Sequence, residues 1–102
     1  MKPETDLQQR VVKFYRDLGC EVVVLGGQPR KTYQTPGVPD LKIYCVRKRK
    51  TWWLEVKTKT GQQTKSQADF QLMAETCDEV CLVGGLEVVQ AHLMGLGIIA
   101  AP

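Results

Sequence analysis

Residues 66–102 contain no lysine and no arginine. All 14 basic residues lie in 1–65 with 6 of the 11 acids, so the formal charge of +3 divides into +8 and −5. A basic first two-thirds is what a polyanion such as nucleic acid selects, although such asymmetry also arises without a partner. Long apolar runs are missing as well. The longest uncharged stretch, 88–102, is short and broken by Gln90, His92 and glycines, which argues against a membrane span. No CxxC spacing occurs, so Cys20, Cys45, Cys77 and Cys81 read as four buried thiols in preference to a zinc site or two disulfides. The chain opens on a polar amphipathic segment with no apolar secretory core, and with reduced thiols this predicts a cytoplasmic protein. No GxxxxGK, GxSxG or HExxH is present. What is there, 102 residues with 43% apolar and 25% charged, suits one domain over 1–102 with a modest core.

Leu7, Val11, Phe14, Tyr15 and Leu18 recur at spacings of three and four, which predicts a helix over 3–18 opened by Pro3 and stopped by Gly19. Three consecutive valines predict a buried strand over 20–25, followed by a long polar loop over 26–37 that carries Arg30 and Lys31. Two strand-like runs, 38–46 and 51–58, flank Arg47, Lys48, Arg49 and Lys50, a hairpin with a cationic tip. Thr64 can cap a helix to about Thr76, with apolar positions at Ala68, Phe70, Leu72, Met73 and Ala74. A strand over 79–83 and a short helix over 86–96 complete the order α, β, β, β, α, β, α.

With the four basic residues as the hairpin loop, Val46 faces Thr51, Lys42 faces Glu55, Asp40 faces Lys57 and Tyr44 faces Trp53. One sheet face is then Leu41, Ile43, Cys45, Trp52, Leu54 and Val56, apolar throughout. The other gathers Asp40, Lys42, Glu55 and Lys57. Two carboxylates from adjacent strands with a lysine beside them suit a hard divalent cation that activates water against a phosphate. Ordinary cross-strand salt bridges on a surface fit the same residues. Pro36-Gly37-Val38-Pro39 delivers Asp40 through a stiffened turn, which a surface ion pair does not require. Glu4, in the first helical turn, leans toward the buried stripe, but taken alone it is better read as favouring the helix dipole.

Gly37-Val38-Pro39-Asp40 followed by Glu55-Val56-Lys57 resembles the PD-(D/E)XK nuclease signature. The wider pattern resembles the virus-type replication-repair nuclease family, VRR-Nuc: Glu4-x-x-Leu7-Gln8 in the first helix, GVPDL at 37–41, EVK at 55–57 and Thr64-x-x-Gln67 opening the next helix. The resemblance covers most of the chain and implies an α/β (α+β) fold with a restriction-endonuclease-like core, order αβββαβ plus a short C-terminal helix, on a mixed central sheet. It implies Glu4, Asp40 and Glu55 as ligands of Mg2+ or Mn2+ with the Val56 carbonyl as a fourth, Asp40, Glu55 and Lys57 as the catalytic set, and Gln67 in support. The glycine that usually follows the second helix is replaced by Cys77-Asp78.

The implied activity is a metal-dependent DNA endonuclease of the standalone phage or bacterial type, selective for branched DNA in the manner of a Holliday-junction resolvase and working as a homodimer in DNA repair. Arg30, Lys31, Arg47, Lys48, Arg49 and Lys50 are the expected nucleic-acid contacts. A noncatalytic nucleic-acid-binding or assembly module on the same fold is the competing class, and a sequence-specific restriction enzyme has too little chain for base readout. His92, alone in an apolar helical setting, reads as structural or surface. Of the adjacent tryptophans one must face inward, and Trp53 is left to stack on nucleic acid or pack beneath a helix or a second subunit.

Overall fold

A computed structural model describes residues 2–25 and 35–101. Its elements are α1 (Pro3–Asp17), β1 (Glu21–Val24), β2 (Leu41–Cys45), β3 (Lys50–Val56), α2 (Lys65–Thr76), β4 (Cys81–Gly84) and α3 (Leu86–Gly95). The sheet runs β1-β2-β3-β4, antiparallel across the first two joins and parallel across the last. The expected αβββαβα order and mixed sheet are both present. α1 and α3 cover one face, where Val11, Tyr15, Val89 and Leu93 pack on Leu41, Ile43, Cys45, Trp52, Leu54 and Val56. Trp52 Nε1 donates to the Tyr15 hydroxyl at 3.1 Å, and burial pushes that hydroxyl's pKa up to about 12. His92 meets Trp52 edge-on at 4.6 Å within this layer, and burial lowers its pKa. It therefore lies on the core side of the sheet, opposite the carboxylates.

The hairpin departs from the expected register by two residues. The turn begins earlier, as a 3₁₀ turn at Val46–Lys48, and closes with Arg49 in the left-handed conformation at φ 56, so Lys50 joins the strand. Cys45 pairs with Lys50, Tyr44 with Thr51, Lys42 with Trp53 and Leu41 with Leu54. Because side chains alternate with a period of two, an even slip leaves each on its expected face and changes only its partner. Continued by one residue, the register sets Asp40 across from Glu55 instead of Lys57.

Three smaller expectations fail for reasons of packing. β1 is an edge strand and not a buried one: it pairs only with β2, and Val23 is 46% exposed. Cys77, at the C-cap of α2, is exposed, while the other three thiols are buried. On α2 the apolar Leu72 and Met73 point outward, and the buried side carries Ala74 with Phe70 and Gln71 half-buried beside it. The missing glycine after α2 is replaced by Asp78, which takes a left-handed φ of 64 while the Glu79 N–H closes on the Ala74 carbonyl at 2.9 Å.

Candidate active site

Asp40 is set by its turn. Gly37 has φ 78, and a Cβ there would overlap the Ser66 carbonyl at the start of α2, so the loop approaches the helix as only glycine permits. Pro39 is buried, and the Leu25 N–H donates to the Asp40 carbonyl at 2.7 Å. The side chain reaches across to β3, where Oδ2 accepts from the Val56 N–H at 2.8 Å. In an extended strand a residue's N–H and C=O face the same neighbour, so the Val56 carbonyl also points to the β2 side. Desolvation raises the Asp40 pKa; the Val56 N–H opposes this, Glu4 reinforces it and Lys57 opposes it.

Glu55 is the buried acid among the described residues, 1% exposed. Its Oε2 has no hydrogen-bond partner and lies 3.8 Å from Lys57 Nζ, whose side chain is 11% exposed. Burial raises the Glu55 pKa; Lys57 and a hydrogen bond from Gln63 oppose the rise, and Asp40 and Glu4 add to it. Gln63 is held in turn, its Nε2 donating to Gln71 Oε1 at 3.0 Å, and Gln71 donates to the Cys81 carbonyl at 3.3 Å and to Glu75 at 3.2 Å. Sequence reasoning missed this pair of glutamines. The available signal was the spacing of Gln71 and Ala74, three apart and thus on one helix face, which places a polar side chain beside the buried alanine.

Glu4, half-buried in the first turn of α1, lines a cleft of about 350 Å3 with Lys2, Thr5, Gln8 and Asp40. α1 thus brings the third carboxylate to the edge of the site. Among the described residues, however, no three His, Cys, Asp or Glu side chains converge closely enough to hold a metal ion. The expected three-carboxylate cage is not closed here, and Asp40 is turned to the Val56 N–H. The donors still fit a hard cation: the oxygens of three acids act on one another's field, one of them is buried and unpartnered, and Lys57 is the positive group that offsets them. A cavity of about 510 Å3 between α1 and β1 is lined by Gln8, Val12, Arg16 and Val24 among others and includes none of these acids.

Gln67 serves α2 itself. Its Oε1 accepts from the Thr64 N–H at 2.8 Å while its own N–H donates to Thr64 Oγ1 at 3.2 Å, a reciprocal capping box. Trp53 is taken up by packing: its ring meets Phe70 edge-on at 5.2 Å, its Nε1 donates to Glu79 at 3.0 Å, and Lys42 Nζ sits 4.1 Å above it. Arg47, Lys48, Arg49 and Lys50 are exposed at the hairpin tip. Arg30 and Lys31 lie outside the described residues.

A solved structure of a VRR_NUC domain superposes on this architecture with a TM-score of 0.71, over 93% of this chain and 97% of its own, at 21% sequence identity. The chain has the fold of a VRR_NUC domain. No family model and no curated protein matches the sequence. β2 begins and β3 ends beside the first turn of α1, so Glu4, Asp40 and Glu55 come from three parts of the chain that gather at one end of the sheet. No described helix is long and apolar enough to cross a membrane.

Proposed function

We propose that the chain is a metal-dependent endonuclease that hydrolyses DNA phosphodiester bonds and is selective for branched DNA, as a Holliday-junction resolvase is. The observation that carries the reading is the Glu55–Lys57 pair, a buried carboxylate with an unpartnered oxygen 3.8 Å from a largely buried ammonium, beside Asp40 and on a VRR_NUC fold. A structural ion pair at so buried a position costs desolvation that well-packed apolar residues avoid. Glu4, Asp40, Glu55 and the Val56 carbonyl are the groups that hold the ion. Bound there, Mg2+ or Mn2+ supplies Lewis acidity toward water and neutralises charge on the phosphate.

The protein's own residues do the rest. Lys57 Nζ donates to a nonbridging phosphate oxygen and orients the attacking water, so it acts most strongly as charge develops on phosphorus. Gln63 and Gln71 fix the Glu55 carboxylate, and Gln67 supports the site indirectly by capping the helix that bears Gln71. Arg47, Lys48, Arg49 and Lys50, with Arg30 and Lys31, bind the DNA backbone. Two symmetric cuts in a junction require two sites about a twofold axis, which makes the working form a homodimer. The setting is the cytoplasm of a bacterial or phage-infected cell.

The test incubates the protein with labelled four-way junctions, flaps, splayed arms and linear duplex in Mg2+, Mn2+ and EDTA. Cutting of branched forms in metal and none in EDTA is expected. Equal cutting of linear duplex removes the branched selectivity. Binding without cutting in any metal favours the competing reading, a noncatalytic module.

A further inference from the structure

The outer face of the sheet is covered unevenly. α2 packs against β4 and reaches Trp53 of β3 through Phe70. Over β1 and β2 the same face carries Val23 and Tyr44, with Val46 just beyond at the tip, 46%, 41% and 71% exposed. Tyr44 and Val46 line a cavity of about 360 Å3 with Cys45, Arg49, Lys50 and Thr51. That volume lies at the small end of the range of ligand sites, ~300–1,000 Å3. Among the described residues the Tyr44 ring meets no other ring, and none of Arg47, Lys48, Arg49 and Lys50 forms an ion pair. Arg49 also holds the left-handed conformation that glycine adopts freely, so the turn carries a guanidinium where its backbone favours no side chain.

An open aromatic face bordered by cations is the chemistry of a platform on which a nucleobase stacks while its phosphates are held alongside. A second copy of this chain suits the patch less well. A twofold contact through it would bring two cationic tips together, and like charges across an interface disfavour it. We infer that Tyr44 stacks on an unpaired base of the strand that reaches the carboxylates, with Arg49 and Lys50 on the flanking phosphates. Tyr44 is four residues along β2 from Asp40 on the same face, ~13 Å at the strand's rise. The stacked base is therefore a few nucleotides from the bond to be cut. The inference rests on the nuclease reading for the identity of that strand, whereas the platform is tested by binding alone.

Fluorescence anisotropy in EDTA compares a labelled single-stranded oligonucleotide with a blunt duplex of equal length. Tyr44→Ala is expected to weaken single-strand binding about tenfold more than duplex binding, and Tyr44→Phe to retain it. Moving one abasic site along the oligonucleotide should locate a position at which wild type and Tyr44→Ala become equal. Arg49→Gly should weaken binding while keeping or raising the melting temperature, a combination that a merely structural arginine would not give. Single-strand affinity unchanged in Tyr44→Ala overturns the platform, as does a shift in that variant's mass by light scattering, which would assign the patch to a second copy. Binding that behaves as expected without cutting in Mg2+ or Mn2+ keeps the platform and removes the nuclease reading. A wild type that binds no DNA removes both.

Discussion

The two faces of the sheet are built from the same strands and obey opposite rules. Toward α1 and α3, β2 and β3 present Leu41, Ile43, Cys45, Trp52, Leu54 and Val56, all buried and all apolar. The other face presents Lys42, Tyr44, Trp53, Glu55 and Lys57, joined at its end by Asp40, and α2 covers only part of it. The first arrangement lowers free energy by removing apolar surface from water. The second holds a buried acid against desolvation, with one oxygen left unpartnered. A strand that alternates so sharply separates stability from chemistry, and the contrast can be attacked from either side.

The largest effect is expected on the core face. Trp52→Ala removes a buried indole and its bond to Tyr15, and should cost about 3–5 kcal/mol in denaturant unfolding. Any cutting activity should then fall only as the folded fraction falls. Loss of activity in fully folded Trp52→Ala would show that the two faces are not independent.

Next comes Lys57→Ala on the outer face. Cutting should drop by about 10²–10³-fold or more, the scale of removing one preorganised donor to the transition state. Junction affinity of the folded variant should stay within several-fold, while the melting temperature should fall, because the buried Glu55 loses the charge that offsets it. A variant that cuts normally takes Lys57 out of the chemistry.

Metal binding sharpens the contrast further. In thermal melts Mn2+ at about a hundred times its dissociation constant should stabilise the wild type by about 2.7 kcal/mol. Asp40→Asn and Glu4→Gln should lose most of that gain, and Trp52→Phe should keep it. Equal stabilisation in all of them would place the ion elsewhere.

The smallest expected effect concerns Glu55 and pH in metal-free buffer. Burial raises the Glu55 pKa above its unfolded value, so this group's contribution to stability is greatest below the ordinary carboxylate range and declines as pH rises through the folded pKa. Glu55→Gln should therefore be more stable than wild type near pH 7. The gap should close as pH falls below the usual glutamate range, while cutting stays abolished throughout. A gap that widens in acid reverses the sign and would mean that Lys57 outweighs desolvation.

Much of this was legible in the sequence because it depends on local periodicity. The spacing of Leu7, Val11 and Tyr15 by four marks α1, and the alternation in 41–45 and 51–56 assigns those side chains to their correct faces. Thr64 and Gln67 give the start of α2, and GVPD with EVK gives the two strands of the site. These are short-range patterns, and they survived an error of two residues in register because parity, not pairing, decides the face.

What escaped depends on how the pieces meet. Whether the turn holds Arg47 to Lys50 or Val46 to Arg49 is decided by a left-handed Arg49 that composition does not announce, and that choice sets Asp40 across from Glu55. Which side of α2 is buried follows from where the sheet ends, so Gln71 lies inside and Leu72 and Met73 lie outside. β1 is an edge because β4 joins the sheet on its other side through a parallel pairing, a long-range choice invisible in three valines. The amino-acid order by itself determined the helices, the strand faces and the acids that flank them, since backbone periodicity and side-chain polarity act within a few residues. The register, the half-buried glutamine relay and the uncovered Tyr44 were decided only by tertiary structure, because desolvation and packing are properties of surfaces that meet only once the chain has folded.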